Sequence, residues 1–357
     1  MKPTKIWRLW LLAPVAALAL IAAGCGGGGN EAASSAPPPA TTEAAQAQPP
    51  PATGATVTVR MGIEPWIGYG PWWIAKEKGF DRQNGVDLQI TNFSTDADIN
   101  SAFAGGKIDV ENLATHTGIR FLGAGVPLTF VLFEDVSRTA DAILAGPDIK
   151  SIADLKGKKV AYEEGTTSDL LLRYALAQNG MSLDDIKVVP IPASDAGAAV
   201  IAGKVDVAVT YEPYLTAALK QGQGFHLVYS AGEQPGLISD LLAARPDFVS
   251  AHPDAIVGAL EAWQQAIDFY RSNTDEAQAI IAKQVGAKPE DLKESFAGVD
   301  LYDLKQSKAL LAGGFAALAK QIEDILKEQG TLEGNPDVAG AVDGSFEDKA
   351  LGGGSKY

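Results

Sequence analysis

TDADINSAFAGGKIDV at residues 95–110 and SDAGAAVIAGKVDV at residues 194–207 repeat one pattern. Each stretch predicts a capped helix start, a short helix of small residues, a glycine stop and a strand that opens with Lys-Ile-Asp-Val or Lys-Val-Asp-Val. Thr95 and Ser194 suit the N-cap because a hydroxyl oxygen accepts from a free backbone N–H. The glycines suited to the left-handed position after each helix are Gly105 and Gly203. One structural unit is therefore predicted to occur twice.

The residues before each stretch predict the same succession of elements. Before the first stretch, the succession is a strand at Val57–Ile63, a helix at Pro71–Lys78 and a strand at Val86–Ile90. Before the second stretch, it is a strand at Lys158–Tyr162, a helix at Ser168–Gln178 and a strand at Ile186–Ile191. Each copy reads βαβαβ, which predicts a parallel sheet with helices on both faces. The predicted fold class is α/β, with two lobes and a cleft between them.

The N-terminus has the pattern of an export signal. Lys2, Lys5 and Arg8 precede an apolar run at residues 10–23, which is too short for a membrane span and typical of a signal peptide. The run ends at Ala22-Ala23-Gly24-Cys25, which resembles the cleavage box of bacterial lipoproteins and implies a lipidated Cys25 after removal of residues 1–24. An ordinary secreted protein with a chance cysteine is the alternative. Residues 25–55 are rich in Gly, Ser and Pro, which predicts a disordered tether.

Composition narrows the function classes. The chain has 357 residues and a formal net charge of −15, which is unfavourable for contacts with nucleic-acid phosphates. One cysteine excludes an intramolecular disulfide, and three histidines leave little material for a metal site. No G-x-S-x-G, H-E-x-x-H or P-loop lysine occurs. We therefore predict no catalytic residue, no metal and no cofactor.

Ligands of open α/β sheets bind beyond the carboxyl ends of the strands. That rule selects candidate ligand-binding residues that follow predicted strands in both halves of the chain, namely Trp66, Tyr69, Thr115, His116, Thr166, Thr167 and Glu212. Each has a structural alternative. Trp66 and Tyr69 would then be packing aromatics, and Thr166 and Thr167 plain helix caps. Glu212 would be a loop carboxylate, and His116 is favoured as a structural histidine over a metal ligand.

The C-terminal third is predicted to be helical. Ile256, Leu260, Trp263 and Ile267 recur at helical spacing after Pro253, and a second stripe follows at residues 311–325. Both stripes are interpreted as core faces. The glycine- and charge-rich segment at residues 334–357 is expected to follow the surface.

Three segments carry a resemblance to a known family: WIGYGPWWIAKEKGF at residues 66–80, DLKGKKVAYEEGTTS at 154–168 and AGKVDVAVTYEPY at 202–214. They resemble the nitrate/sulfonate/taurine class of periplasmic solute-binding proteins of ABC importers. The resemblance implies a type II-like fold whose lobes, each a mostly parallel sheet flanked by helices, close on a ligand. It places the crossings between lobes near Glu134–Asp141 and Phe225–Tyr229. The implied division is lobe one at 56–137 plus 226–330, lobe two at 138–225, and a C-terminal tail at 331–357.

The first crossing also supplies candidate ligand-binding residues. Family members often read D-x-S-x-G-A-D-A-I there, and this chain matches with Ser137 and Asp141. Arg138 and Thr139 depart from the pattern. No single family ligand is therefore transferred to this chain.

The resemblance implies an extracytoplasmic receptor. The single cysteine and the export signal argue against an enzyme, and we expect a monomer anchored to the cell envelope through lipid on Cys25. It would bind a small organic ligand and deliver it to an ABC permease. A purely anionic ligand would face Glu64, Glu163 and Glu212, so a zwitterionic or heteroaromatic ligand, such as an amino-sulfonate or a pyrimidine, is favoured. Two alternatives stay open: an enzyme similar to the thiamine-pyrimidine synthases, whose cysteine-rich motif the chain lacks, and a sensor partner of a signalling receptor.

Overall fold

Two β-sheets organise the protein in the computed structural model, which describes residues 56–352. The predicted signal peptide, Cys25 and the tether lie outside the described residues. The strands are β1 (Val57–Ile63), β2 (Val86–Asn92), β3 (Val110–Ala114), β4 (Thr129–Ser137), β5 (Asp141–Ala145), β6 (Lys159–Tyr162), β7 (Lys187–Pro190), β8 (Val207–Tyr211), β9 (His226–Ser230), β10 (Ser239–Ala244) and β11 (Val299–Leu301). The first sheet has the order β11-β4-β10-β3-β1-β2 and the second has the order β7-β6-β8-β5-β9.

Helices flank both sheets. In chain order they are α1 (Gly70–Lys78), α2 (Phe80–Gln83), α3 (Asp96–Ala104), α4 (Thr115–Gly123), α5 (Thr167–Gln178), α6 (Ala193–Ile201), α7 (Tyr214–Leu219), α8 (Pro246–Ala251), α9 (Pro253–Ser272), α10 (Thr274–Gln284), α11 (Pro289–Leu292), α12 (Leu304–Ala309), α13 (Phe315–Glu328) and α14 (Ser345–Gly352). We call the first sheet with its helices lobe one, and the second sheet with its helices lobe two.

The predicted duplication is confirmed. In the first copy, β1 lies between β2 and β3 and pairs in parallel with both. In the second copy, β6 lies between β7 and β8 and also pairs in parallel with both. Because the two copies share element order, strand order and strand direction, they place equivalent strand ends at equivalent edges of the two sheets.

The ends of the repeated helices match the sequence in part. Thr95 caps α3, where its Oγ1 accepts from the backbone N–H of Asp98, and Gly203 has a left-handed φ of 66°. Ser194 does not cap α6, because this helix already begins at Ala193. Gly105 has a φ of −81°, and its neighbour Gly106 takes the left-handed position instead.

The sheets are mixed, since each strand outside the duplicated units pairs antiparallel with its neighbours. β10 pairs antiparallel with β3 and β4, and β5 pairs antiparallel with β8 and β9. The chain passes between the sheets at residues 138–140 and again at residues 231–238. The second crossing falls later than the predicted Phe225–Tyr229, because residues 226–230 form β9 and complete the edge of the second sheet.

The C-terminal third packs on lobe one. Ile256, Leu260, Trp263 and Ile267 of α9 are at most 1% exposed, which confirms this stripe as a core face. The expected surface path of the last segment is wrong, because α14 buries Phe346 and Glu347 and the Ser307 hydroxyl donates to Glu347. Burial of the Phe346 ring holds this segment in the core although most of its residues are small or polar. Within residues 56–352, no helix combines the length and the apolar character needed to cross a membrane.

Candidate ligand-binding site

A cavity that is partly open to solvent lies between the two sheets and is lined from both lobes. Lobe one and the second crossing contribute Glu64, Trp66, Tyr69, Asp96, Ile99, Asn100, Glu111, Asn112, Leu113, Ala114, Thr117, Ile238 and Asp240. Lobe two contributes Asp141, Thr167 and Tyr211. The ends of β1 and β3 face the ends of β6 and β8 here, because duplicated units place their strand ends at matching edges.

An aromatic wall forms one side of the cavity. Trp66 donates its Nε1 hydrogen to Asp135 Oδ2 at 3.1 Å, and Tyr69 donates its Oη hydrogen to Asp240 Oδ1 at 2.8 Å. Trp66 also meets Tyr211 of lobe two edge to face. Both rings that the sequence selected therefore line the cavity, and each is held in place by a buried carboxyl group.

Asp141 faces this wall from lobe two. Its backbone N–H donates to Ser137 Oγ at 3.0 Å, and the nearby hydroxyls of Ser137 and Thr167 favour the ionised form of its carboxyl group. Burial is the main cause that raises the pKa of Asp141 to about 7. Asp141 is therefore poised to gain or lose a proton near neutral pH.

Four carboxyl groups form two pairs. Glu64 lies beside Asp96, and Asp135 beside Asp240. Burial and the neighbouring charge raise the pKa of Glu64 and of Asp135 well above its usual value, and burial raises the pKa of Asp240 to about 6. Within each pair the two carboxylates repel, which favours the protonated form of one partner.

Glu111 has no such partner. It lies within β3 and is fully buried, and neither of its carboxyl oxygens has a hydrogen-bond partner in the described part of the chain. The adjacent Asn112 donates its Nδ2 hydrogen to Gly62 O at 2.8 Å, while its Oδ1 is also unpartnered. Burial, and then the charge of Asp96, raise the pKa of Glu111 well above its usual value.

Three of the predicted residues support the cavity without lining it. Thr115 shares a hydrogen bond of 2.8 Å with the Ser239 hydroxyl. Thr166 caps α5 by accepting from the Ser168 N–H at 3.2 Å, and Ser137 binds Asp141 as described. These hydroxyls hold strand and helix ends in place, which is the structural alternative considered for Thr166.

His116 and Glu212 also lie away from the cavity lining. His116 is 2% exposed, and burial, with the charge of Arg120, lowers its pKa to about 3, so its ring is neutral. Glu212 turns toward the start of α7, where it accepts from the Thr216 N–H at 3.1 Å and from the Thr216 hydroxyl at 2.9 Å. Glu212 was expected to contact a ligand, but its carboxyl group instead caps the start of α7.

The sequence reasoning missed Asp240, Glu111 and Asn112. Asp240 lies on the antiparallel strand β10, which a rule based on parallel strand ends does not consider. Glu111 and Asn112 lie inside β3, directly after the repeated Lys-Ile-Asp-Val. Glu111 could have been recognised as an acidic residue within a strand that the sequence predicts to be buried. Such a residue is rarely buried without a partner, so it indicates a site.

The two-lobed α/β arrangement with a cavity between the lobes is that of the periplasmic binding proteins. The crystal structure of the periplasmic aliphatic sulphonate binding protein SsuA from Escherichia coli superimposes with a TM-score of 0.68 and 24% identity, covering 82% of this chain and 100% of that chain. The model of the family described as NMT1/THI5 like matches residues 66–277. The chain belongs to this family, and the resemblance predicted from the sequence is confirmed.

Relatives of known name agree with this assignment. A "Putative aliphatic sulfonates-binding protein" of Escherichia coli (strain K12) is 34% identical over 183 residues, which cover 51% of this chain and 57% of the relative. The taurine-binding periplasmic protein of the same organism is 23% identical over 259 residues, covering 71% of this chain and 81% of the relative.

Proposed function

We propose that this protein is an extracytoplasmic solute receptor that binds a small organic molecule between its two lobes and delivers it to an ABC permease. The observation that carries this proposal is the cavity between the sheets, lined from both lobes and furnished with unpartnered buried polar groups. Buried polar groups cost free energy unless they are hydrogen-bonded. A ligand that supplies the missing hydrogen-bond partners explains the presence of these buried polar groups. The names of the relatives support the same role.

The ligand we propose is zwitterionic or heteroaromatic, such as an amino-sulfonate or a pyrimidine. Trp66, Tyr69 and Tyr211 offer ring surfaces, while Glu111 and Asn112 offer acceptors. Thr167 at the start of α5 is positioned for an anionic or acceptor group, since free N–H groups lie at helix N-termini.

A receptor is proposed rather than an enzyme. Among the residues that line the cavity in the described range, hydroxyls occur only on Thr117, Thr167 and the two tyrosines, and cysteine, serine, lysine and histidine are absent. A ligand incubated with the protein should therefore be recovered chemically unchanged by mass spectrometry. A thiamine-pyrimidine synthase-like enzyme would alter it. A sensor partner would also leave it intact, and an adjacent signalling kinase gene in place of a permease gene would favour that alternative.

Ligand binding is proposed to close the lobes about the crossings at residues 138–140 and 231–238. The lobes already touch at several places. Arg120 Nη1 of α4 donates to Gly165 O of lobe two at 2.5 Å, Trp66 meets Tyr211, and Lys220 at the end of α7 pairs with Asp291 of α11. Two crossings that are short next to the lobes permit hinge bending. The receptor is further proposed to be a monomer held at the outer face of a membrane by lipid on Cys25.

A thermal-shift screen tests the receptor function. The purified protein is heated with taurine, alkanesulfonates, pyrimidines, quaternary amines and nitrate, one at a time. A ligand present at 100 times its Kd should add about 2.7 kcal/mol to the free energy of unfolding. The stabilisation should be lost in Trp66→Ala and kept in Glu290→Gln, an exposed change outside the cavity. A panel in which no compound shifts the melting temperature would contradict the proposal.

A further inference from the structure

The geometry points to a ligand that carries a cationic N–H group, an organic ammonium or amidinium, with that group bound by the Glu111 carboxylate. This inference rests on the proposed receptor function and selects among its ligand classes. It departs from the relatives named for sulfonate binding, because the groups that line this cavity suit positive charge.

The Glu111 side chain forms the acceptor site, and Asn112 Oδ1 is a second, separate acceptor. Both lie on β3 and line the cavity, and they are 0% and 2% exposed. Both Glu111 oxygens and Asn112 Oδ1 lack hydrogen-bond partners among residues 56–352. Because consecutive residues of a strand point to opposite faces of the sheet, the two Glu111 oxygens form one pair of acceptors and Asn112 Oδ1 is a separate one. The Glu111 pair matches a group that brings two N–H bonds. Such charge-assisted hydrogen bonds are about twice as strong as neutral ones.

The charge of the residues that line the cavity also favours a cationic ligand. Five carboxyl groups line the cavity, and the lining residues of the described range include no lysine, arginine or histidine. Arg120 does not line the cavity. It is close enough to influence the charge of Asp96, but its guanidinium Nη1 donates to Gly165 O. An anionic ligand would lose its hydration without gaining a cationic partner, which is costly in a buried site.

The cation must be organic. In the described part of the chain, no group of carboxyl, histidine or cysteine side chains is arranged to hold a metal ion. Trp66, Tyr69 and Tyr211 also line the cavity, and aromatic faces attract ammonium groups. The rings suit an apolar or aromatic part of the ligand, and the carboxyl groups suit a cationic group attached to it.

Proton exchange distinguishes a cation from an anion at this site. Burial raises the pKa of Glu111 and Glu64 well above the usual value, so these groups hold their protons to a higher pH than exposed carboxyl groups do. The groups around Glu111 are the acids Glu64 and Asp96, with Arg120 beyond Asp96. A bound cation favours the ionised carboxylate and therefore expels a proton. An anion would need the acid forms as donors and would take protons up.

Three probes that differ only in their polar group test the inference: benzylammonium, benzyl alcohol and phenylmethanesulfonate. Tryptophan fluorescence follows the titration, since Trp66 lines the cavity. Benzylammonium should bind at least tenfold more tightly than phenylmethanesulfonate. Its affinity should rise with pH between 6 and 8. Calorimetry in two buffers of different ionisation enthalpy should show proton release.

Glu111→Gln supplies the matched variant. It keeps the size of the side chain, so its binding of benzyl alcohol should stay within about twofold, while its affinity for benzylammonium should fall about tenfold or more. Glu290→Gln, the same change on the surface, should alter neither value, and unchanged melting temperatures show that both variants fold.

Preference for the sulfonate, or proton uptake on binding, would overturn the cation inference and leave the receptor function standing. The absence of a signal from all three probes would overturn it as well. The receptor function would then be judged by the wider thermal-shift panel alone, so the two failures are distinguishable.

Discussion

Trp66 and Tyr211 meet edge to face across the cleft, with ring centroids 6.0 Å apart and ring planes at 83°. Trp66 follows β1 in lobe one, and Tyr211 ends β8 in lobe two. Both also line the cavity. Their contact therefore links the relative position of the lobes to the site where a ligand would bind.

Replacing Tyr211 should loosen this link. Tyr211→Ala removes the ring, and an aromatic pair contributes about 0.5–1.5 kcal/mol, so ligand affinity should fall roughly 2- to 10-fold. Small-angle scattering should show a larger radius of gyration for the empty variant. Tyr211→Phe retains the ring and serves as the control. An identical radius in Tyr211→Ala and the wild type would show that this contact does not hold the lobes together.

Gly68 should tolerate no side chain. A Cβ atom at this position would overlap Asp135 Oδ2 and Trp66 Nε1, the two atoms joined by the hydrogen bond of the aromatic wall. Gly68→Ala should therefore destabilise the protein by about 1–3 kcal/mol and weaken ligand binding, as measured by urea unfolding and calorimetry. Gly313→Ala is the control, because nothing lies within 4 Å of its added Cβ. Equal effects of the two changes would contradict this account.

Acidic conditions should stabilise the cavity carboxyl groups. Burial raises the pKa of Asp141 to about 7 and that of Asp240 to about 6. Between about pH 4 and these values the folded protein holds protons that the unfolded chain has released. The free energy of unfolding contributed by these groups therefore falls as the pH rises. For Asp141 the loss is at most about 4 kcal/mol between pH 4 and pH 7.

Asp141→Asn should flatten this dependence. Urea unfolding without ligand at pH 5 and pH 8 should show a smaller difference in the variant than in the wild type. Asp291→Asn is the control. The ion pair with Lys220 lowers the pKa of Asp291, so its contribution is lost only below about pH 4. A wild-type protein that gains stability from pH 5 to pH 8 in step with Asp141→Asn would refute the assignment.

Glu212→Ala should affect stability more than binding. Its carboxylate accepts two hydrogen bonds from Thr216 at the start of α7, and losing a cap of this kind costs about 1 kcal/mol. The melting temperature should therefore fall while ligand affinity stays within about twofold. The reverse outcome, lower affinity at an unchanged melting temperature, would return Glu212 to the ligand site.

Cys25 should carry lipid. Metabolic labelling with a fatty-acid analogue should mark the wild-type protein and not Cys25→Ser, because Cys25 is the sole cysteine and ends the apolar run at residues 10–23. The unlabelled variant should leave the membrane fraction, since stable anchoring needs more than one acyl chain. Label retained in Cys25→Ser would contradict lipidation at this position.

The sequence was sufficient for the duplicated units, the α/β class and the family. Helix stops, capping residues and apolar strands are local patterns, and a repeated local pattern builds the same unit twice. The rule for strand ends then located Trp66, Tyr69 and Thr167 in the cavity lining. These features depend on near neighbours in the chain, which is why they can be recognised without a structure.

Only the tertiary structure decided which polar groups meet. Asp135 and Asp240 belong to strands far apart in the sequence, and they become neighbours because β10 inserts between β3 and β4. The same arrangement leaves Glu111 buried without a partner. A carboxyl group has similar local signals whether it caps a helix, shares a proton or waits for a ligand. Its role depends on the atoms that long-range packing brings beside it.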